Sequence, residues 1–131
     1  MADGESPVVV EQQDDVTIVR FTRDQIREDS YTKRASDEMK KIALEIGGTV
    51  LVSLGNVRFM SSSGIAALVL LNRLLHSVRG RLMLCDVQPL ILQLFVSGGF
   101  QESFDIRGSL EKVLADLGVQ PGNSAADPEE A

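Results

Sequence analysis

Two apolar segments of opposite habit meet at a run of serines, and that junction restricts what this 131-residue chain can fold into. Thr49-Val50-Leu51-Val52-Ser53-Leu54 is short and rich in β-branched residues, and Gly55-Asn56 ends it, the pattern of a central strand. Beyond Arg58-Phe59-Met60-Ser61-Ser62-Ser63-Gly64, the stretch from Ile65 to Val78 has neither Pro nor Gly and reads as a helix. The serines fall at its N-terminus, where hydroxyls cap free backbone N–H groups. The same helix end favours anions, phosphate included. Capping alone is enough to explain the serines; the face of the helix behind them asks for more.

With Asn72 as the origin and about 100° per residue, Asn72, Arg73, His76, Ser77 and Arg79 gather on one side. Ala67, Leu68, Leu71, Leu74, Leu75 and Val78 fall on the other, the predicted core stripe. Ile65 and Val69 land within the polar side, next to Ser62. An exposed apolar pair beside a phosphate-ready helix end is predicted to be a docking surface.

Along the rest of the chain, strands alternate with helices. The runs 8–10 and 16–21 are β-rich and split by Gln12-Gln13-Asp14-Asp15, a hairpin signal. Residues 22–29 are charged and irregular. Asp29 or Ser30 caps a helix over 31–46 with Ala35, Met39, Ile42, Ala43 and Ile46 on one stripe, and Gly47-Gly48 stops it. After the serine junction, Gly80 ends the second helix and leads into a strand at 81–86. Pro89 opens a third helix that stops at Gly98-Gly99. A short strand at 104–106 precedes a last helix capped by Ser109. This order predicts one α/β domain over 7–118 with a mostly parallel sheet and an antiparallel edge pair. Residues 1–6 read as a flexible N-terminus and 119–131 as a disordered acidic tail. Partners of such sheets gather at the carboxyl ends of the strands, where the serine junction lies.

Several chemistries are excluded. The turn lacks the first glycine of a nucleophile elbow, and His76 lies roughly 20 Å along the same helix from Ser63, too far to act as its base. There is no Walker loop or G-x-G-x-x-G, so no nucleotide cofactor is expected. One His and one Cys are too few for a metal centre, and the lone Cys85 reads as a small buried residue. A net charge of −6 with 5% aromatic residues argues against direct nucleic-acid binding. The N-terminus has no signal-peptide pattern, and the longest apolar stretch, 65–71, is far below the roughly 20 residues that span a bilayer. The expectation is a soluble cytoplasmic protein that is not an enzyme.

Phe59-Met60-Ser61-Ser62-Ser63-Gly64-Ile65 resembles the signature of the anti-sigma factor antagonists of the STAS domain family: two apolar residues, Asp or Ser, Ser, a small residue, Gly, then Leu or Ile. The resemblance runs from about Val8 to Gly118 and takes in Arg81-Leu82-Met83-Leu84-Cys85-Asp86, Gly98-Gly99-Phe100 and Phe104-Asp105-Ile106. It implies a STAS-like α/β fold, a four- to five-stranded mixed sheet with about four helices largely on one side. It also implies a partner, an anti-sigma factor with serine kinase activity, from which this protein would release a sigma factor. Phosphorylation would switch the protein off, and a serine phosphatase would restore it. Aligned on the motif, the acceptor is Ser63, with Ser62 as the alternative, and the partner surface is Ser61, Ser62, Ser63, Gly64, Ile65, Val69, Asn72 and Arg73. Many phosphorylated members carry Asp where this chain has Ser61. Two other roles fit the same resemblance: a scaffold subunit of a stress-sensing complex, and the small STAS subunit of a lipid-transport ATPase.

Overall fold

The valine-rich runs near the start pair with each other in the computed structural model, which describes residues 6–119. Strands β1 (Val8–Gln13) and β2 (Val16–Phe21) are antiparallel, and Asp14 in the turn takes φ +55°. The remaining elements are β3 (Gln25–Ile26), α1 (Ser30–Glu45), β4 (Thr49–Ser53), β5 (Phe59–Met60), α2 (Ser62–Ser77), β6 (Arg81–Cys85), α3 (Pro89–Ser97), β7 (Asp105–Ile106) and α4 (Leu110–Asp116). The main sheet has the order β1-β2-β4-β6-β7, parallel except for β1. β4 is central, as its unbroken apolar run requires of a strand covered on both faces.

Alternate residues of the strands feed two cores. Val19, Phe21, Val50, Val52, Leu82 and Leu84 pack with α1, α2 and α3. Val16, Ile18, Leu51, Met83 and Cys85 pack with Val113 and Leu114 of α4 on the opposite face. Three helices on one face and one on the other agree with the expected arrangement. Each fully buried Leu or Ile contributes about 1.5–3 kcal/mol. Val119 is buried in the second core and its N–H donates to the Leu114 carbonyl, so the domain continues one residue past the expected boundary. The segments expected to be flexible lie outside the described residues, apart from Ser6 and Val119.

Local signals hold well at the helix ends. Of the two candidate caps, Asp29 is the one used: its Oδ1 accepts from the Thr32 N–H at 3.1 Å. Gly47 and Gly48 both take the left-handed φ, +68° and +69°, that stops α1. Ile46, placed on the core stripe from sequence, is exposed, because α1 has ended and the chain is already turning. The stop of α2 differs in kind. Arg79, not Gly80, takes the left-handed conformation (φ +63°), while Gly80 is needed because a Cβ there would lie 2.5 Å from the Gly48 carbonyl oxygen. The segment 22–29, irregular by sequence, contains β3.

Burial pushes the Cys85 thiol from its ordinary 9.0 up to about 12, the Asp86 charge acting in the same direction; Ser53 and Arg20 oppose it weakly. The unfolded chain releases this proton near 9 while the folded protein holds it. The contribution is therefore complete below about pH 9 and is lost as pH rises towards 12. Above pH 9 the wild type should lose up to about 1.4 kcal/mol per pH unit relative to Cys85→Ala. Urea melts of both proteins at pH 8, 9 and 10 check the slope.

Candidate functional site at the serine-capped start of the second helix

The short parallel pair β3 and β5 places the serines. Asp24 accepts through its carbonyl from the N–H groups of Arg58 (2.7 Å) and Phe59 (3.2 Å), and Ile26 accepts from Ser61 N–H at 2.7 Å. The serines thus follow β5 rather than β4 directly, and they enter α2 from a backbone clamped on one side. Ser61 is the N-cap: its Oγ accepts from the Gly64 N–H at 3.3 Å, and its carbonyl starts the helix by accepting from Ile65 N–H at 3.0 Å. A hydroxyl here does the capping that a carboxylate would do in an Asp-bearing relative.

Gly64 is fixed by close approach. A Cβ on it would lie 2.8 Å from Ile26 Cγ2 and 2.8 Å from Met60 Cγ, neither of them the far end of a long flexible side chain. Gly64→Ala should lower stability by about 1–2 kcal/mol even after the gain in helix propensity. A thermal melt that shows no loss would mean that β3 and β5 can retreat.

With Ser61 committed to the cap, Ser62 and Ser63 open to two different grooves. Ser63, half-buried, lines a groove of about 520 Å³ between α1 and α2, with Asp29, Thr32, Lys33, Asp37, Ala67 and Leu70. Three acids and two lysines line it: Lys33 and Lys40 each lie 3.7 Å from Asp37, and Glu28 and Asp29 are the other two acids. Ser62 is exposed and lines a smaller groove of about 310 Å³ with Ala66, Val69, Leu70, Arg73 and Phe100.

The expected docking face needs one correction. Ile65, read as exposed, is 7% exposed and belongs to the main core. The buried positions of α2 are Gly64, Ile65, Leu68, Leu71 and Leu75. This arc is rotated by about 50° from the stripe read off the sequence. Val78, expected in the core, is therefore exposed, and Ala67 and Leu74 are only half-buried. The reason is that residues 65–71 are apolar all round, so periodicity cannot phase the helix; α1 and the Gly64 contact with β3 and β5 do. Val69 sits between the two states, half-buried against the core yet lining the groove beside Ser62. Arg73 is exposed in that groove, whereas the Asn72 amide donates to the Ser103 carbonyl at 3.0 Å and ties α2 to the loop after α3.

Other apolar surface was not read from sequence as part of the site. Phe59 is 40% exposed on β5, with the Arg27 guanidinium 5.7 Å from its ring centre. α3, which packs against β5, exposes Leu90, Leu92 and Val96 while burying only Ile91 and Phe95. The signal was present: a nine-residue helix that is apolar all round can bury one stripe and must leave the rest outside. His76 is exposed and near the far end of α2. Among the described residues no group of three or more His, Cys, Asp or Glu could hold a metal ion, and no helix is long and apolar enough to cross a membrane.

Comparison with known proteins agrees with this arrangement. Over 66 residues the chain is 32% identical to a Bordetella bronchiseptica protein named as anti-sigma factor antagonist BtrV. That match covers 50% of this chain and 57% of the relative, so the chain spans little more than half the relative's length. The fold is similar to an anti-sigma-factor antagonist (STAS) domain protein from Planctomyces limnophilus (TM-score 0.73, 21% identity, 86% of this chain and 98% of that one). It is also similar to the Bacillus cell fate determinant SpoIIAA in its phosphorylated form (TM-score 0.66, 17% identity, 84% and 97%). The family profile of the STAS domain matches residues 7–113, which hold every strand of the sheet and the serine junction, and this chain belongs to the STAS domain family.

Proposed function

We propose that this chain is an anti-sigma factor antagonist that docks through the start of α2 on an anti-sigma factor with serine kinase activity, and so frees a sigma factor. The observation that carries this reading is the division of labour among the serines: Ser61 caps, while Ser62 and Ser63 stay open to apolar grooves. The name of the Bordetella relative and the phosphorylated state of the Bacillus structure support the same reading. Ser63 is the acceptor, Ser62 the alternative, and a serine phosphatase resets the switch. In this reading the chain acts in the cytoplasm and carries out no reaction of its own.

The physics of such a switch is direct. A phosphate adds about −1.5 to −2 charges. At a helix N-terminus it is tolerated, a gain on the order of 1 kcal/mol. The same charge pressed between the partner and Ala66, Ala67 and Leu70 would cost several kcal/mol (~3) unless paired. The fold survives and the complex separates. Ser62, Ser63, Val69 and Arg73 form the contact surface, extended by Phe59 and the outer face of α3, while Gly64 and Ile65 shape it from beneath.

Incubation with an anti-sigma kinase and ATP, followed by peptide mapping, is expected to find one phosphate, on Ser63. Phosphate confined to Ser61, Ser109 or Ser124 would rule out the acceptor assignment.

A further inference from the structure

The main sheet has one long free edge. β1 pairs with β2 on one side and, among the described residues, with no strand on the other. The backbone groups on the free side can be assigned. Thr22 N–H donates to the Pro7 carbonyl at 3.2 Å. Antiparallel alternation then makes Val9/Arg20, Glu11/Ile18 and Gln13/Val16 the hydrogen-bonded pairs. Val8, Val10 and Gln12 therefore turn their N–H and C=O groups away from β2. The Ser6 hydroxyl occupies those of Val8, donating to its carbonyl at 2.7 Å and accepting from its N–H at 3.3 Å. Among the described residues nothing engages those of Val10 and Gln12.

Edge strands are usually guarded by lysine, proline, a bulge or a covering element. Residues 8–13 contain no lysine or proline, and their register with β2 runs without a bulge. Val9 and Val10 are 48% and 42% exposed. The one charge on the strand, Glu11, is engaged by Arg20 at 2.6 Å, and both remain partly exposed.

We propose that this edge pairs with β1 of a second copy of the chain, antiparallel about a two-fold axis through Val10, to make one continuous sheet. Outward-facing residues must oppose one another for the ladder to form, so the axis passes through a residue rather than between two. An axis through Glu11 sets two carboxylates opposite each other, and one through Val9 sets Gln12 opposite Ser6, which lies outside the strand, so the ladder is shorter. Through Val10, that residue faces its own copy, Val9 faces Glu11, and Val8 exchanges Ser6 for Gln12. The two Val10 side chains then meet beside the buried Val19. On the opposite face, the second copy's Glu11 falls in one rung with Val9 and Arg20, about 10 Å from Arg20 between Cα atoms and within reach of its guanidinium.

Sedimentation of the full chain from about 1 μM to about 1 mM should show a reversible dimer, the concentration range in which so small a seam is expected to associate. Val10→Lys and Val10→Pro should each raise its dissociation constant at least tenfold. The proline removes only the outward N–H, so pairing with β2 and the thermal melt should be kept. Under oxidation Val10→Cys should give a covalent dimer, because the Cα atoms of such a pair lie about 5.5 Å apart. Gln12→Cys should not, since its copy lies roughly 13 Å away along the strand. The native Cys85 is fully buried and leaves this assay clear. A chain monomeric throughout, a dimer indifferent to both Val10 variants, or cross-linking through Gln12 instead of Val10 would each overturn the proposal.

Discussion

Ser63→Ala is expected to hold the proposed anti-sigma partner persistently, and Ser63→Asp to bind it at least tenfold more weakly. Alanine removes the acceptor without changing the charge of the groove between α1 and α2, where Lys33 and Lys40 stand with Glu28, Asp29 and Asp37. Aspartate adds one carboxylate to a wall that also holds Asp29 and Asp37. A tenfold loss needs only ~1.4 kcal/mol, well within the cost of covering an unpaired charge. Phosphate carries more charge than aspartate, so this variant sets a lower bound on the switch. Calorimetry gives the affinities, and circular dichroism shows whether both variants are folded. Equal affinities in two folded variants would make Ser63 a structural part of the helix start. The constitutive subunit of a lipid-transport ATPase would then be the better description.

Ile65→Glu and Val69→Glu should part company sharply although the two side chains are one turn apart. Ile65 is in the core, and a carboxylate there loses its hydration with no cation to meet it; a stability loss of about 3 kcal/mol is expected. For a domain of this size that lowers the melting temperature by about 10 °C, at roughly 4 °C per kcal/mol. Val69 reaches the groove with Ser62, Arg73 and Phe100, so its glutamate can turn to solvent. Its stability should change by less than about 1 kcal/mol while partner binding weakens. Chemical denaturation and binding measured on the same preparations separate the effects. If Val69→Glu unfolds the protein as Ile65→Glu does, Val69 is core and the contact surface shrinks to the serines, Arg73 and the α3 side.

The serines and their cap are legible in the amino-acid sequence, because each rests on residues within four positions of one another, whereas the intolerance at Gly64 also needs Ile26 of β3, distant in the chain. Ser61 caps through the N–H of Gly64, three residues on. The use made of the neighbouring hydroxyls is not legible there, since the grooves that separate Ser62 from Ser63 are formed by residues 28–40 and by Phe100, distant in the chain.

By itself the sequence determined the order of strands and helices, the hairpin at Asp14-Asp15, the stops at Gly47-Gly48 and Gly98, the proline-led start of α3 and the central place of β4. These are local or compositional: caps and turns involve near neighbours, and a strand apolar on both sides has only one place in a sheet. The tertiary structure alone decided the rotation of α2 that buries Ile65, the β3–β5 pair that clamps the serines, which flank of α3 is exposed and the inclusion of Val119. The physical reason is the same in each case. A segment that is apolar all round, or too short and polar to show a period, carries no phase of its own, and its inner face is set by the neighbour it packs against.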